Sequence, residues 1–199
     1  MNYLTEALAW IADPANQSGP NGIVTRLAEH LLYTMIATGG AALVAIPLGY
    51  AIGHTGRGRG LVVGATGAAR ALPTLGVLTL IALLAGVGVG APLIALGVLA
   101  APSILAGAYS GIEAVKPATV DAARAIGMSE WQVLQQVEIP LGLPQLLGGL
   151  RSATLQVVAT ATLVAYVGGG GLGRFLFLGL KTQDYPQMLA ASLLVVALA

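Results

Sequence analysis

Residues 117–140 read Pro-Ala-Thr-Val-Asp-Ala-Ala-Arg-Ala-Ile-Gly-Met-Ser-Glu-Trp-Gln-Val-Leu-Gln-Gln-Val-Glu-Ile-Pro, inside a polar interval, 113–144, that interrupts an otherwise apolar chain. Pro117 suits the first turn of a helix, where its missing N–H is no loss. Val115, Ala118 or Thr119, Ala122 and Ile126 recur at helical spacing, which predicts a short helix over 117–126 with one small apolar face. Gly127 then supplies the residue that turns left-handed past a helix C-terminus. Ser129 with Gln132 reads as a capping box opening a second helix. Trp131, Leu134 and Val137 fall on one side of it, and Gln132, Gln135 and Gln136 elsewhere. Pro140 and Pro144 are expected to end it before the next apolar run. Two short helices joined at a glycine make a rigid knob suited to pushing on another subunit. The plain alternative is an ordinary helical hairpin between two spans.

Charged residues make up 9% of the chain and apolar residues 56%, where soluble domains carry roughly a quarter charged. That composition points to a bilayer. The net charge of +1 gives no reason to expect nucleic acid as a partner. The absence of Cys excludes disulfides and thiolate metal sites. Residues 1–12 lack the basic start and small-residue cleavage site of a signal peptide. Several spans leave little of the chain for a soluble domain, so no fused binding module or ATPase is expected.

Leu4, Leu8 and Ile11, with Tyr3 and Trp10 nearby, predict a short amphipathic helix on the membrane surface; a poorly ordered terminus is the alternative. Residues 13–22, rich in Pro, Asn and Gly, read as a loop. Five apolar runs follow, at 31–53, 72–89, 92–112, 146–167 and 185–199, giving an all-α polytopic fold of about five transmembrane helices. The first is chargeless and long enough to cross roughly 30 Å of hydrocarbon. The second has an interfacial approach, 61–71, because Arg70 is costly at the bilayer centre and should sit at the cytoplasmic edge or face a cavity. Residues 86–92 read as a chargeless turn. Arg151 snorkels from the fourth run to the cytoplasmic surface. The fifth reaches only about 22 Å at helical rise, an incomplete span.

The stretch Asp121-Ala122-Ala123, then Gly127, then Val137-Glu138-Ile139-Pro140 resembles the EAA loop of binding-protein-dependent ABC transporter permeases: E-A-A, three residues, G, nine residues, I-x-L-P. Asp121 stands for Glu, Val137 for Ile and Ile139 for Leu. Further segments resemble the osmoprotectant branch, permeases for glycine betaine, choline, carnitine or proline betaine. They are 10–14, 53–58, 70–75, 156–163, 166–175 and 184–188, and the likeness covers nearly the whole chain, 1–199, as a single permease domain of the type I importer fold. The resemblance implies that the 113–144 loop is cytoplasmic and docks into a separate ATPase subunit through Asp121, Ala122, Ala123, Arg124, Gly127, Ser129, Val137, Ile139 and Pro140. It implies a cell-membrane location, a two-fold dimer with a second permease copy or paralogue, and an extracytoplasmic solute-binding protein delivering cargo. ATP and Mg would sit on the partner, with no cofactor in this chain.

With that loop inside, five spans put the N-terminus outside. Arg57, Arg59, Lys116 and Arg124 are then cytoplasmic, as the positive-inside rule prefers, while Arg174 and Lys181 fall outside and count against it. Tyr33, Tyr50, Tyr109 and Tyr166 lie in or beside spans; they either line the solute path, with Gly168 and Gly170 at its gate, or pack between helices. Gly168, Gly170 and Gly173 formally spell G-x-G-x-x-G but follow a membrane helix rather than a strand, so backbone flexibility at an outer gate is the better reading. No Lys-bearing P-loop occurs, and His30 and His54 stand isolated, so neither ATP hydrolysis nor a metal site is expected. A permease of the same architecture for another small solute, such as methionine, is the nearer rival. An ATP-independent secondary transporter would need intramembrane carboxylates, and the expected spans contain none.

Overall fold

The computed structural model describes residues 2–86 and 88–199, and among them every regular element is helical. The chain folds as α1 (Tyr3–Ala12), α2 (Pro14–Gln17), α3 (Ile23–Thr55), α4 (Arg59–Ala71), α5 (Thr74–Ala85), α6 (Gly90–Glu113), α7 (Pro117–Ala125), α8 (Glu130–Val133), α9 (Ile139–Thr160), α10 (Gly173–Thr182) and α11 (Tyr185–Leu198). A π-helical turn, Leu134–Glu138, joins α8 to α9, and a 3-10 segment, Ala161–Val167, continues α9. Among the described residues, three helices are long and apolar enough to cross a membrane: Ile23–Thr55, Gly90–Glu113 and the continuous run Glu130–Val167. The apolar helices Thr74–Ala85 and Tyr185–Leu198 are shorter, at 12 and 14 residues.

Several expected boundaries move. The loop expected at 13–22 contains α2, started by Asp13, whose side chain accepts the Ala15 N–H at 2.9 Å. The first long helix begins at Ile23 rather than 31, which brings Arg26, Glu29 and His30 onto it. Residues 61–71 belong to α4, and Pro73, which cannot continue a helix from its N-terminal side without strain, separates it from α5. Helix α6 begins at Gly90, inside the expected 86–92 turn; Val87 lies outside the described residues. The expected position of Arg70 likewise falls on a side chain outside those described.

The largest departure is at Pro140 and Pro144, which do not end the helix. Proline lacks an N–H and its ring collides with the carbonyl four residues back. The chain meets this by widening the turn ahead of Pro140: Ile139 donates five residues back, to the Leu134 carbonyl. Such a π-bulge absorbs the misfit while the helix runs on.

The contacts group into two units, one made of the chain up to Ala37, Pro73–Leu96 and the chain from Leu155, the other of Thr38–Leu72 and Gly97–Thr154. In the first, Ile23, Leu172, Phe175 and Ala191 form a buried cluster edged by Trp10, Leu27 and Leu194. Trp10 meets Phe175 edge-on with ring centroids 5.1 Å apart. In the second, helices touch backbone to backbone. A Cβ placed on Gly111 would lie 2.5 Å from the Gly142 carbonyl oxygen, and one on Gly107 would lie 2.8 Å from Gly149 Cα. Without a hydrophobic drive between helices in lipid, such small-residue contacts supply the packing.

Gly142→Val should therefore push α6 from α9 and lower stability in detergent by about 1–3 kcal/mol. Gly148→Ala is the control, since a Cβ there meets nothing within 4 Å. Thermal unfolding of the two variants beside the native chain measures the difference.

Candidate functional site

Helix α7 opens with Pro117 at its first position, and its C-terminus closes as a Schellman turn. Gly127, at φ +90°, takes the left-handed conformation. Its N–H donates to the Arg124 carbonyl at 2.9 Å, and the Met128 N–H donates to the Ala123 carbonyl at 3.2 Å. One residue later Ser129 starts α8 with a full capping box: its hydroxyl accepts from the Gln132 N–H, and the Gln132 side chain accepts from the Ser129 N–H at 2.8 Å. The Arg124 guanidinium spans the turn and donates through two nitrogens to the Glu130 carboxylate, both at 2.9 Å, with Asp121 3.7 Å from the same group. That bidentate bond holds Arg124 protonated beyond its usual range.

Beneath the turn, Val115, Val120, Ala123 and Val133 form a small closed core, flanked by Met128 and Val137. The buried face is rotated by about one residue from the expected one. Val120 and Ala123 point in, whereas Ala122 is exposed, Ile126 is 80% exposed and Trp131 65% exposed. The reason is the turn itself: the left-handed Gly127 folds α8 back over the Val120–Ala123 side, leaving the other stripe uncovered. Asp121 and Pro140 are exposed, and Val137 and Ile139 are half-buried.

Sequence reasoning missed what fastens this knob to α3. His54, in the last turn of α3, places Nδ1 2.5 Å from Glu138 Oε2 and Nε2 3.3 Å from Glu130 Oε2. The Glu138 side chain is only 7% exposed. Arg59 pairs with Glu113 at 3.0 Å. Residues 54 and 138 lie too far apart in the chain for any spacing rule to pair them.

In the other unit, the glycine-rich segment wraps a carboxylate. Glu29 Oε2 accepts the Gly171 N–H at 2.8 Å and is ion-paired to Arg26 at 2.8 Å. The Glu29 carboxylate occupies the place a Gly170 side chain would need, and Gly168 and Gly171 have φ of +91° and +81°. Of the glycines that spell G-x-G-x-x-G, Gly170 thus lies against the chain's own Glu29, while Gly173 lies against the Thr162 backbone. His30, fully buried, sets Nε2 2.9 Å from the Val158 carbonyl oxygen. Arg26, His30, Thr34 and Thr38 are all buried and spaced four apart on one face of α3; that polar stripe was the available signal, hidden by starting the span at 31. The expected spans were free of carboxylates, but Glu29 and Glu138 both lie within membrane-length helices. Tyr109 is buried and belongs to the other unit, while Tyr166 is 56% exposed and packs on Phe177 with centroids 5.7 Å apart. Among the described residues, no group of three or more His, Cys, Asp or Glu side chains could hold a metal ion.

Residues 45–199 match the family described as binding-protein-dependent transport system inner membrane component. The chain belongs to that family. It is a multi-pass membrane permease, and its fold is that of the type I importers. The chain is 33% identical, over 92% of its length and 84% of the relative's, to the glycine betaine/carnitine/choline transport system permease protein OpuCB of Bacillus subtilis. It is 31% identical, over the same shares, to the choline transport system permease protein OpuBB of Bacillus subtilis. It is also 31% identical, over 86% of its length and 82% of the relative's, to the osmoprotectant import permease protein OsmW of Salmonella typhimurium. Among solved structures, an inward-facing form of the MetNI methionine ABC transporter superposes with a TM-score of 0.75 over 88% of both chains at 22% identity, a likeness of fold.

The His54–Glu138 contact yields a double-mutant test. His54→Ala leaves a buried carboxylate without its partner and should cost about 1–3 kcal/mol. His54→Ala with Glu138→Leu, which removes both, should cost less than His54→Ala alone. Melting temperatures of the purified proteins read the comparison.

Proposed function

We propose that the chain is the membrane-spanning subunit of an ATP-driven importer for compatible solutes such as glycine betaine, choline, carnitine or proline betaine. Two copies, or this chain and a paralogue, would form the solute path between them, since one such bundle does not enclose a pore. ATPase subunits dock from the cytoplasm, an extracytoplasmic binding protein delivers solute, and the N-terminus lies outside. The solute class rests on relatives that match over more than four-fifths of both chains.

The observation that carries the coupling role is the uncovered stripe on the 117–140 knob. Ile126 and Trp131 stand exposed beside Ala122 and Asp121, on a turn held by a Schellman motif, a capping box and the Arg124–Glu130 bond. Large apolar side chains on a rigid protrusion suit a groove in a partner, as aromatic anchors do at interfaces generally. Ala122, Ala123, Gly127 and Ser129 allow close approach or shape the turn, and Asp121 and Arg124 supply polar contacts at the groove's rim. Val137, Ile139 and Pro140 carry the knob's movement into the continuous helix Glu130–Val167. ATP-driven closure of the two ATPases then rocks the helices as rigid bodies, the mode of alternating access. Tyr109, Tyr166, Gly168 and Gly170 stand as candidate path and gate residues.

The test is Gly127→Asp. A left-handed backbone at φ +90° strains any side chain, so the turn shifts while the helices stay inserted. Expected is normal membrane abundance, retained ATP hydrolysis by the assembled complex and loss of solute uptake. Normal uptake by this variant would refute the coupling role.

A further inference from the structure

Helix α10 presents Arg174, Phe177 and Lys181 on one face, at i, i+3 and i+7. They line a cavity of about 650 Å³ together with Asn21, Arg26 and Tyr166. Three cations and three aromatic side chains, Tyr166, Phe175 and Phe177, share this space, and no Asp or Glu among the described residues lines it. Arg26 is already neutralised, since Glu29 stands behind it at 2.8 Å. Arg174 and Lys181 make no ion pair within 4 Å among the described residues, although the Glu29 carboxylate also feels the Arg174 charge. Tyr166 and Phe177 pack at 50° to one another, with Tyr166 more than half exposed.

Cations with no direct carboxylate contact, beside open aromatic faces, suit one kind of small solute. A carboxylate satisfies the guanidinium and ammonium donors, and a quaternary ammonium lies against a ring face. A bare cation would meet the rings but be repelled by Arg174 and Lys181. These two residues also oppose the positive-inside bias in the proposed orientation, a placement that a ligand-binding duty explains.

We propose that this cavity is a solute-acceptance site in the permease itself, selective for zwitterions whose carboxylate engages Arg174 and Lys181 and whose quaternary ammonium lies on Tyr166 and Phe177. The inference rests on the osmoprotectant-importer reading and deepens it. It divides that solute class: glycine betaine and carnitine carry the required carboxylate, and choline does not.

The experiment uses vesicles holding the complete assembly of permease, ATPase and binding protein, and compares uptake of glycine betaine with uptake of choline. Arg174→Ala combined with Lys181→Ala changes exposed side chains only and should leave the fold intact. Expected is a fall of about tenfold in glycine betaine uptake, the scale of a lost charge-assisted contact, with choline uptake within about twofold of native. Arg174→Lys in an otherwise native chain should keep most glycine betaine uptake. Equal loss of both solutes would mean that the cations serve docking of the binding protein and would overturn the site. Unchanged glycine betaine uptake would overturn it as well, and so would a native assembly that carries choline but no carboxylate-bearing solute, a result that spares the importer reading. An assembly that carries neither solute would remove the importer reading and the site with it.

Discussion

In hydrocarbon a backbone N–H or C=O has no water to turn to, so a spanning segment must satisfy its own polar groups by staying helical. That constraint explains why the three longest helices run on through Pro47, Pro102 and Pro144. It also makes the few irregular places informative. The π-bulge lies where the coupling segment enters a membrane-length helix, and the 3-10 turn and glycine loop lie where that helix ends. In both places the lost regularity is compensated by named partners. Ile139 reaches back to the Leu134 carbonyl, and Glu29 accepts the Gly171 N–H. Irregular backbone is kept where it sets the direction of a segment that must move or bind.

The same constraint governs the polar side chains. Glu29 and Glu138 are each tied to a nearby cation or imidazole, Arg26 in one case and His54 in the other. A carboxylate inside an apolar bundle is costly when unpaired, and these pairs remove the ion-coupling role that unpaired carboxylates would have suggested. These residues do not overturn the carboxylate argument against a secondary transporter, since both helices, at 33 and 38 residues, outrun a bilayer and carry Glu29 and Glu138 near their first ends; family membership leads to the same exclusion. Glu138 fills the variable position of the I-x-L-P element, so its pairing with His54 adds a tie between the knob and α3 without touching the motif's own residues.

Local chemistry was legible in the sequence and tertiary placement was not. Pro117, Gly127, Ser129 and Gln132 act through neighbours within five residues, and each does what its type and spacing dictate. The buried face of the knob depends on the direction in which α8 folds back, which no single-helix periodicity contains, so the sequence placed Ala122 and Ile126 on one apolar face without showing that this face is left exposed. The helix break expected at Pro140 was lost because a one-residue π insertion leaves no compositional mark. The early start of α3 is hidden because charged residues argue against a span, although Arg26, His30, Thr34 and Thr38 stand in the sequence at a spacing of four.

Coupling across such a chain requires a stiff connection between the place where force arrives and the place where solute passes. A helix interrupted by a flexible loop would dissipate the motion, because packed elements transmit strain only while they remain packed. Here the knob enters Glu130–Val167 without a break, and α9 touches α6 through glycines whose backbones leave no gap to absorb a shift. The close glycine contacts therefore do more than save space. They make a displacement of α9 a displacement of α6, and since α3 meets α6 at Gly49 and Gly53 with equal tightness, the three helices within that unit respond as one body.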